Sequence, residues 1–234
     1  MGNLPQEVLQ NLEKMRAKAP SQEQQSTEQQ RIVDLNVEWK RFLQAFLQVE
    51  PNYDFDKADK RILGSIFAWV WHYDKWNVLR LNYKKGLYFY GSLGRGKSVT
   101  LRALQYYMNN IEFRHPWKLQ EDYRMRITWM SASELANIFA DGGQPALMRY
   151  YERECNLCID ELGREPNPAS NFGTKLDVVQ FLIQLRYDHK RTSVTHITTN
   201  LTLKQMNSIY GDYVADRCLE LFNFIEFTGK SLRQ

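Results

Sequence analysis

"GLYFYGSLGRGKSVTLRAL" (residues 86–104) decides the fold. An apolar run, GLYFY, leads into GSLGRGKS from Gly91 to Ser98, and SVTLRALQYYM follows with apolar residues at helical spacing. A strand, a glycine-rich loop and a helix form the context in which G-x-x-x-x-G-K-[ST] cradles phosphate. Gly91, Gly94 and Gly96 let the backbone bend so that successive N–H groups face one point. The helix behind them adds the positive end of its dipole. The loop residues Gly91, Ser92, Leu93, Gly94, Arg95, Gly96, Lys97, Ser98 and Val99 are therefore expected to surround the phosphates of ATP. Lys97 would place its charge at the β- and γ-phosphates, and the Ser98 hydroxyl would be a ligand for Mg2+.

A phosphate cradle that hydrolyses its nucleotide needs acids for metal and water. "NLCIDELG" (residues 156–163) supplies them at the end of an apolar strand. Asp160 is expected to hold the magnesium through water, and Glu161 to polarise the attacking water. Small-molecule kinases and GTPases usually lack the second acid at this point. "SVTHITTN" (residues 193–200) is a third strand with a polar end, Thr198, Thr199 and Asn200. If the sheet sets it between the other two strands, Asn200 faces the γ-phosphate and the water. "YGDYVADRCLEL" (residues 210–221) carries Arg217 far from any phosphate partner in its own loop, a position suited to reach a neighbouring subunit's nucleotide.

Outward from these motifs the chain alternates. The pattern predicts strands near 87–91, 126–130, 156–160, 193–199 and 223–228. It predicts helices near 97–110, 132–140, 145–154, 174–188 and 202–220, the last broken at Gly211. Such alternation implies an α/β three-layer fold with a parallel five-stranded sheet between helices. Upstream, Leu35, Trp39, Phe42, Leu43 and Phe46 line one helical face. After Pro51, Ile62, Leu63, Ile66, Phe67, Val70 and Trp71 line another, with Asp54 or Asp56 as the N-cap. Residues 1–30 are polar and glutamine-rich. Leu4, Val8, Leu12 and Met15 at helical spacing leave two readings open, a disordered tail or a segment that folds on a partner. The chain thus divides into a helical, flexible docking region (1–50) and an ATPase domain (51–234).

Composition narrows the class. Of 234 residues, 43% are hydrophobic and 25% charged, which is ordinary for a globular domain. No run approaches the roughly 18 apolar residues of a membrane span, and the N-terminus lacks a secretory signal. A net charge of +4 permits nucleic-acid binding without arguing for it. Three cysteines cannot build a disulfide framework, and Cys155 and Cys158 read as part of a buried strand. Four scattered histidines offer no metal site. The expectation is a reduced, cytoplasmic protein.

The motifs, with "MSASELANIF", "LIQLRYDHKRTSVTHITTNL" and "FTGKSLR" (residues 130–139, 182–201 and 227–233), follow the order and spacing of the DnaC/IstB-like AAA+ ATPases, which residues 52–234 resemble. The resemblance implies a P-loop AAA+ fold in which Lys97, Ser98, Asp160 and Glu161 are the Walker residues. It also makes Asn200 sensor 1 and Arg217 an arginine finger that acts in trans through self-association. It leaves no room for a C-terminal lid, and Arg233 matches a terminal motif of unassigned role. In the helicase-loader branch the partners are a hexameric replicative helicase and single-stranded DNA. There the helix pair at 131–154 lines the DNA path, and Arg114, Lys118, Arg124 and Arg126 beside Phe113, Trp117 and Tyr123 suit backbone tracking and stacking. The alternatives are a transposition helper that binds duplex DNA and a nucleotide-controlled switch with little hydrolysis. Two features depart from the family. The cysteines of a zinc-binding N-terminal domain are missing, and Arg95 replaces a small loop residue, where it either adds a phosphate contact or crowds the loop.

Overall fold

The computed structural model describes residues 34–110, 126–152, 156–188, 194–229 and 231. In chain order the elements are α1 (Leu35–Val49), α2 (Lys60–Trp71), β1 (Gly86–Tyr90), α3 (Lys97–Asn110), β2 (Ile127–Ser131), α4 (Ala132–Glu152), β3 (Asn156–Leu162), β4 (Ala169–Asn171), β5 (Thr174–Leu176), α5 (Val178–Asp188), β6 (Thr195–Thr199), α6 (Leu203–Leu221) and β7 (Phe222–Glu226). Five strands pair in parallel in the order β2-β3-β6-β1-β7. The predicted parallel five-stranded α/β sheet is therefore present, with its strand boundaries displaced by one or two residues.

Period-two alternation divides the core. Leu87 and Phe89 of β1 face a layer built from α1, α2 and α3, while Tyr88 between them faces α4, α5 and α6. Both faces are covered, so the strands read as continuous apolar runs. Trp69 on α2 meets the fully buried His196 of β6 edge-on at 5.5 Å. The His196 Nδ1 accepts the Leu87 N–H at 3.2 Å, and burial, helped by the nearby Arg186 charge, pushes its pKa down to about 3. The imidazole is thus a neutral member of the sheet. Arg186 itself is buried and donates to the Thr195 hydroxyl at 2.6 Å and the Tyr150 carbonyl at 3.1 Å, which fastens α5 to β6 and α4.

The predicted apolar face of α1 is buried on α3, with Phe42 and Phe46 at 0% exposure. Truncation of such a phenylalanine to alanine typically costs about 3–5 kcal/mol. Glu38 lies on the same face and is buried with it. Its carboxylate accepts from the Tyr107 hydroxyl at 3.0 Å, that hydroxyl accepts from Trp71 Nε1 at 3.0 Å, and Arg41 closes the ion pair at 2.5 Å. Residues 35–49 of the expected 1–50 docking region therefore share a core with the sheet. Leu4, Val8, Leu12 and Met15 lie outside the described residues.

Two local expectations change. Asp59, rather than Asp54 or Asp56, caps α2 by accepting the Arg61 N–H at 2.9 Å. Asp54 instead accepts the Asp56 N–H at 3.0 Å and pairs with Lys57 at 3.1 Å, so it closes its own turn before the helix. The helix predicted from 174 begins at Val178, because residues 169–176 form the β4–β5 hairpin. Its turn residues Phe172 (φ 44°) and Gly173 (φ 87°) both occupy the left-handed region that tight hairpins demand. The helices expected at 132–140 and 145–154 are present as the two arms of α4, separated by non-helical backbone at Gly143, and α6 is broken at Gly211 as predicted.

Candidate nucleotide-binding site

Sheet order brings the motifs together. β6 lies between β3 and β1, so the ends of these three strands open into one cleft of about 490 Å³. The glycine-rich loop after β1 forms its floor, with Gly91, Gly94 and Gly96 at φ 129°, 78° and 85°. Gly91 is required twice over. Its φ suits only glycine, and a Cβ there would stand 2.5 Å from the Phe227 carbonyl oxygen. The Thr100 N–H donates to the Gly96 carbonyl at 2.8 Å as the first turn of α3. The amides ahead of it remain outside the helical ladder and form an anion cradle.

Lys97 is 6% exposed, and its ammonium donates to the Gly91 carbonyl at 2.6 Å, the Ser92 carbonyl at 2.8 Å and Asn200 Oδ1 at 2.8 Å. Asn200 thus meets the loop lysine across the cleft, at the end of a strand that lies between β3 and β1 as its expected role requires. The Ser98 hydroxyl donates to Asp160 Oδ1 at 2.9 Å, and the Thr198 hydroxyl donates to the same oxygen. A serine hydroxyl beside a carboxylate is the hard-oxygen pair that suits Mg2+, which takes one or two protein oxygens plus phosphate and water. Among the described residues no cluster of three histidines, cysteines or acids competes as a metal site.

Glu161 owes its position to a break in the ladder. The β3–β6 register shifts between Ile159 and Leu162, and Glu161 sits at φ 58°. Its N–H turns to the Thr198 hydroxyl at 3.0 Å instead of a strand partner. Such bulges re-aim side chains at strand ends. The Glu161 carboxylate faces the cleft and pairs with Arg164 at 2.9 Å. Three residues earlier on the same strand, Cys158 is fully buried, and burial pushes its thiol well above the usual range, so it is packing rather than redox chemistry. Cys155 lies outside the described residues.

The second wall was not assigned from the sequence. Glu50, Asn52, Tyr53, Asp54 and Lys57, from the α1–α2 connection, face the loop across the cleft. Burial raises the Tyr53 hydroxyl pKa. The signal was an aromatic among acids, "EPNYDFDK" (residues 50–57), which is indistinguishable by composition from an ordinary turn. Arg217 does not line the cleft. Its guanidinium stacks over Tyr187 at 4.3 Å, donates to the Tyr187 hydroxyl at 3.0 Å and lies 3.3 Å from Glu220. The basic and aromatic residues at 113–124 and Arg233 lie outside the described residues. No described helix is long and apolar enough to cross a membrane.

No family model matches the chain, and no curated protein matches it. Solved structures do. The DnaC helicase loader aligns at 20% identity over 81% of this chain and 99% of that one, with a TM-score of 0.52. DnaI aligns at 18% identity over 89% and 88%, with a TM-score of 0.46. The replication initiator DnaA bound to AMPPCP and single-stranded DNA aligns at 14% identity over 79% and 53%, with a TM-score of 0.48. At these identities the likeness concerns architecture, and the sheet order, the loop and the match to the DnaC loader together give this chain the P-loop AAA+ fold.

Proposed function

We propose that the chain binds and hydrolyses ATP and uses that cycle to load or remodel a replicative helicase on single-stranded DNA. One observation carries the reading. The glycine loop, Lys97, Ser98, Glu161 and Asn200 line a single cleft through one sheet order, and Asp160 lies behind it, hydrogen-bonded to Ser98. The loop amides and Lys97 would hold the β- and γ-phosphates, with Lys97 exchanging its carbonyl partners for phosphate oxygens. Ser98 and Asp160 would hold Mg2+, which when bound supplies charge to offset the phosphates. Asn200 would orient the attacking water, and Glu161 would polarise it once its carboxylate leaves Arg164. Arg217, which does not line its own cleft, would complete the site of a neighbouring subunit.

Arg95 in the glycine loop supports a second reading, a nucleotide-controlled switch with little hydrolysis. Turnover measured with and without single-stranded DNA separates the two, and turnover unaffected by Glu161→Gln removes Glu161 from the reaction. Helicase docking is assigned to the N-terminal region. Because α1 belongs to the core, the informative deletion is 1–33 rather than 1–50. The expected result is co-purification of a hexameric helicase with the full chain, lost on deleting 1–33 while ATPase and melting temperature persist. No helicase binding under any nucleotide condition overturns the loader reading. ATP-dependent binding to duplex rather than single strands would replace it with the transposition-helper alternative.

A further inference from the structure

Two cations come from the glycine loop, and only one is explained. Arg95 lines the cleft, yet its Nη1 is enclosed by the protein and has no hydrogen-bond partner. An enclosed guanidinium N–H without an acceptor is unfavourable, and native structures rarely keep one without use. Acceptors are not scarce nearby. Glu50, Asp54 and Glu161 line the same cleft, but Asp54 pairs with Lys57 at 3.1 Å and Glu161 with Arg164 at 2.9 Å. Arg95 forms no ion pair among the described residues. Two of these three acids are thus engaged by other cations, Glu50 forms no ion pair with Arg95, and Arg95 keeps its charge for something the cleft receives.

We propose that the Arg95 guanidinium is a direct ligand of the α- and β-phosphates of the bound nucleotide, held equally by ATP and ADP. The assignment rests on the reading of the cleft as a nucleotide site and deepens it. The γ end is marked by Lys97, Asn200 and Glu161, which gather at the β3 and β6 strand ends. Arg95 precedes Lys97 by two residues and shares the cleft with the 50–57 wall, where the remainder of the nucleotide must lie. Its planar fork of N–H donors matches paired phosphate oxygens, which a small residue at this position cannot do. The consequence is regulatory. A contact that survives hydrolysis retains the product, so Arg95 slows ADP release and lengthens the time the protein spends in one nucleotide state.

The test is equilibrium binding of fluorescently labelled ADP and a labelled non-hydrolysable ATP analogue to the full-length wild type, Arg95→Ala, Arg95→Lys and Lys97→Ala. Arg95→Ala is expected to weaken both nucleotides by the same factor, roughly tenfold or more, the size of a lost charge-assisted hydrogen bond. Arg95→Lys is expected to recover part of that loss, since it restores charge without the fork. The nucleotide-free melting temperature of Arg95→Ala should match or exceed wild type, because no hydrogen bond within the protein is removed. Affinities within twofold of wild type overturn the proposal, as does a loss confined to the ATP analogue or a drop in melting temperature with unchanged affinity. If Arg95→Ala binds normally while Lys97→Ala does not, only the Arg95 assignment fails. If the wild type binds neither nucleotide, the nucleotide reading of the cleft fails with it.

Discussion

Thr198→Val isolates the hinge of the site. The Thr198 hydroxyl donates to Asp160 Oδ1 and accepts the Glu161 N–H at 3.0 Å, so one oxygen joins the two acids of the cleft. Thr198 is 1% exposed, and valine fills the same volume. The substitution therefore leaves packing intact and strands a backbone N–H at the bulge. An unpaired donor at the bulge costs about 1–3 kcal/mol, and a lost bond to a charged carboxylate is of similar size, so the expected destabilisation is about 2–6 kcal/mol. For a domain of this size each kcal/mol moves the melting temperature by roughly 2–4 °C, which places the shift at roughly 4–24 °C. Thr198→Ser keeps the hydroxyl and removes one methyl, which should cost only about 0.5–1.5 kcal/mol. The assay is paired thermal and urea unfolding of both variants. Valine and serine variants that are equally stable would show that the methyl matters and the hydroxyl does not, and the bulge would need another explanation. Hydrolysis gives a second readout. With Glu161 no longer fixed, ATP turnover should fall about tenfold or more in Thr198→Val while ADP affinity changes little, because the loop amides and Lys97 are untouched.

Three further outcomes follow from the same contacts. Tyr107→Phe removes the hydroxyl between Glu38 and Trp71 Nε1. It leaves two buried polar atoms short of a partner, so urea unfolding should report a loss of about 2–4 kcal/mol, and a loss under about 0.5 kcal/mol would mean α1 is not locked through this chain. His196 is held neutral, with a folded pKa of about 3 against roughly 6.5 unfolded, so the unfolded chain binds the extra proton between those values. Its contribution is therefore complete above pH 6.5 and lost as pH falls toward 3. Going from pH 7.5 to 5.5 should cost about 1.4 kcal/mol in urea unfolding, and a His196→Asn variant with an undiminished pH slope would refute the assignment. Arg217→Ala should leave nucleotide binding by an isolated subunit unchanged and lower the ATPase of an assembly by about a thousandfold, and full ATPase would end the finger reading.

The chemistry was legible before the geometry. Lys97, Ser98, Asp160, Glu161 and Asn200 announce themselves because each ends or follows an apolar run whose period names the element. Which strand ends meet is different information. Asn200 could face the loop lysine only if β6 lay between β3 and β1, and nothing in the local pattern fixes that order. It follows from pairing across more than a hundred residues, as between Tyr88 and Ile197. The β4–β5 hairpin escaped because Thr174, Lys175 and Leu176 run into the apolar helix without a breaker, and its turn places Phe172 where asparagine or glycine would be expected. Glu38 escaped because a glutamate on an apolar stripe reads as a solvated edge. Its partner hydroxyl comes from Tyr107, whose side chain no helical period links to it. The second wall of the cleft escaped because residues 50–57 carry turn composition, and only the docking of α1 on α3 brings them over the loop.

Charge in the cleft separates binding from turnover. Lys97 donates to neutral oxygens, whereas Asp160 is engaged by two hydroxyls and Glu161 by Arg164. An incoming polyphosphate therefore meets donors ready to exchange and few free negative charges to repel it. Hydrolysis asks more, because Glu161 must give up its cation to act on water. That pair is partly exposed, with side-chain accessibilities of 40% for Glu161 and 49% for Arg164, and an ion pair of this kind is worth only about 0–1 kcal/mol. Breaking it cannot account for slow turnover by itself, since 1.4 kcal/mol changes a rate only tenfold. If single subunits hydrolyse ATP slowly, the larger deficit must come from a group the single chain does not place at the γ end. Under the proposed function that group would be Arg217 of a neighbouring copy, released from Tyr187 and Glu220.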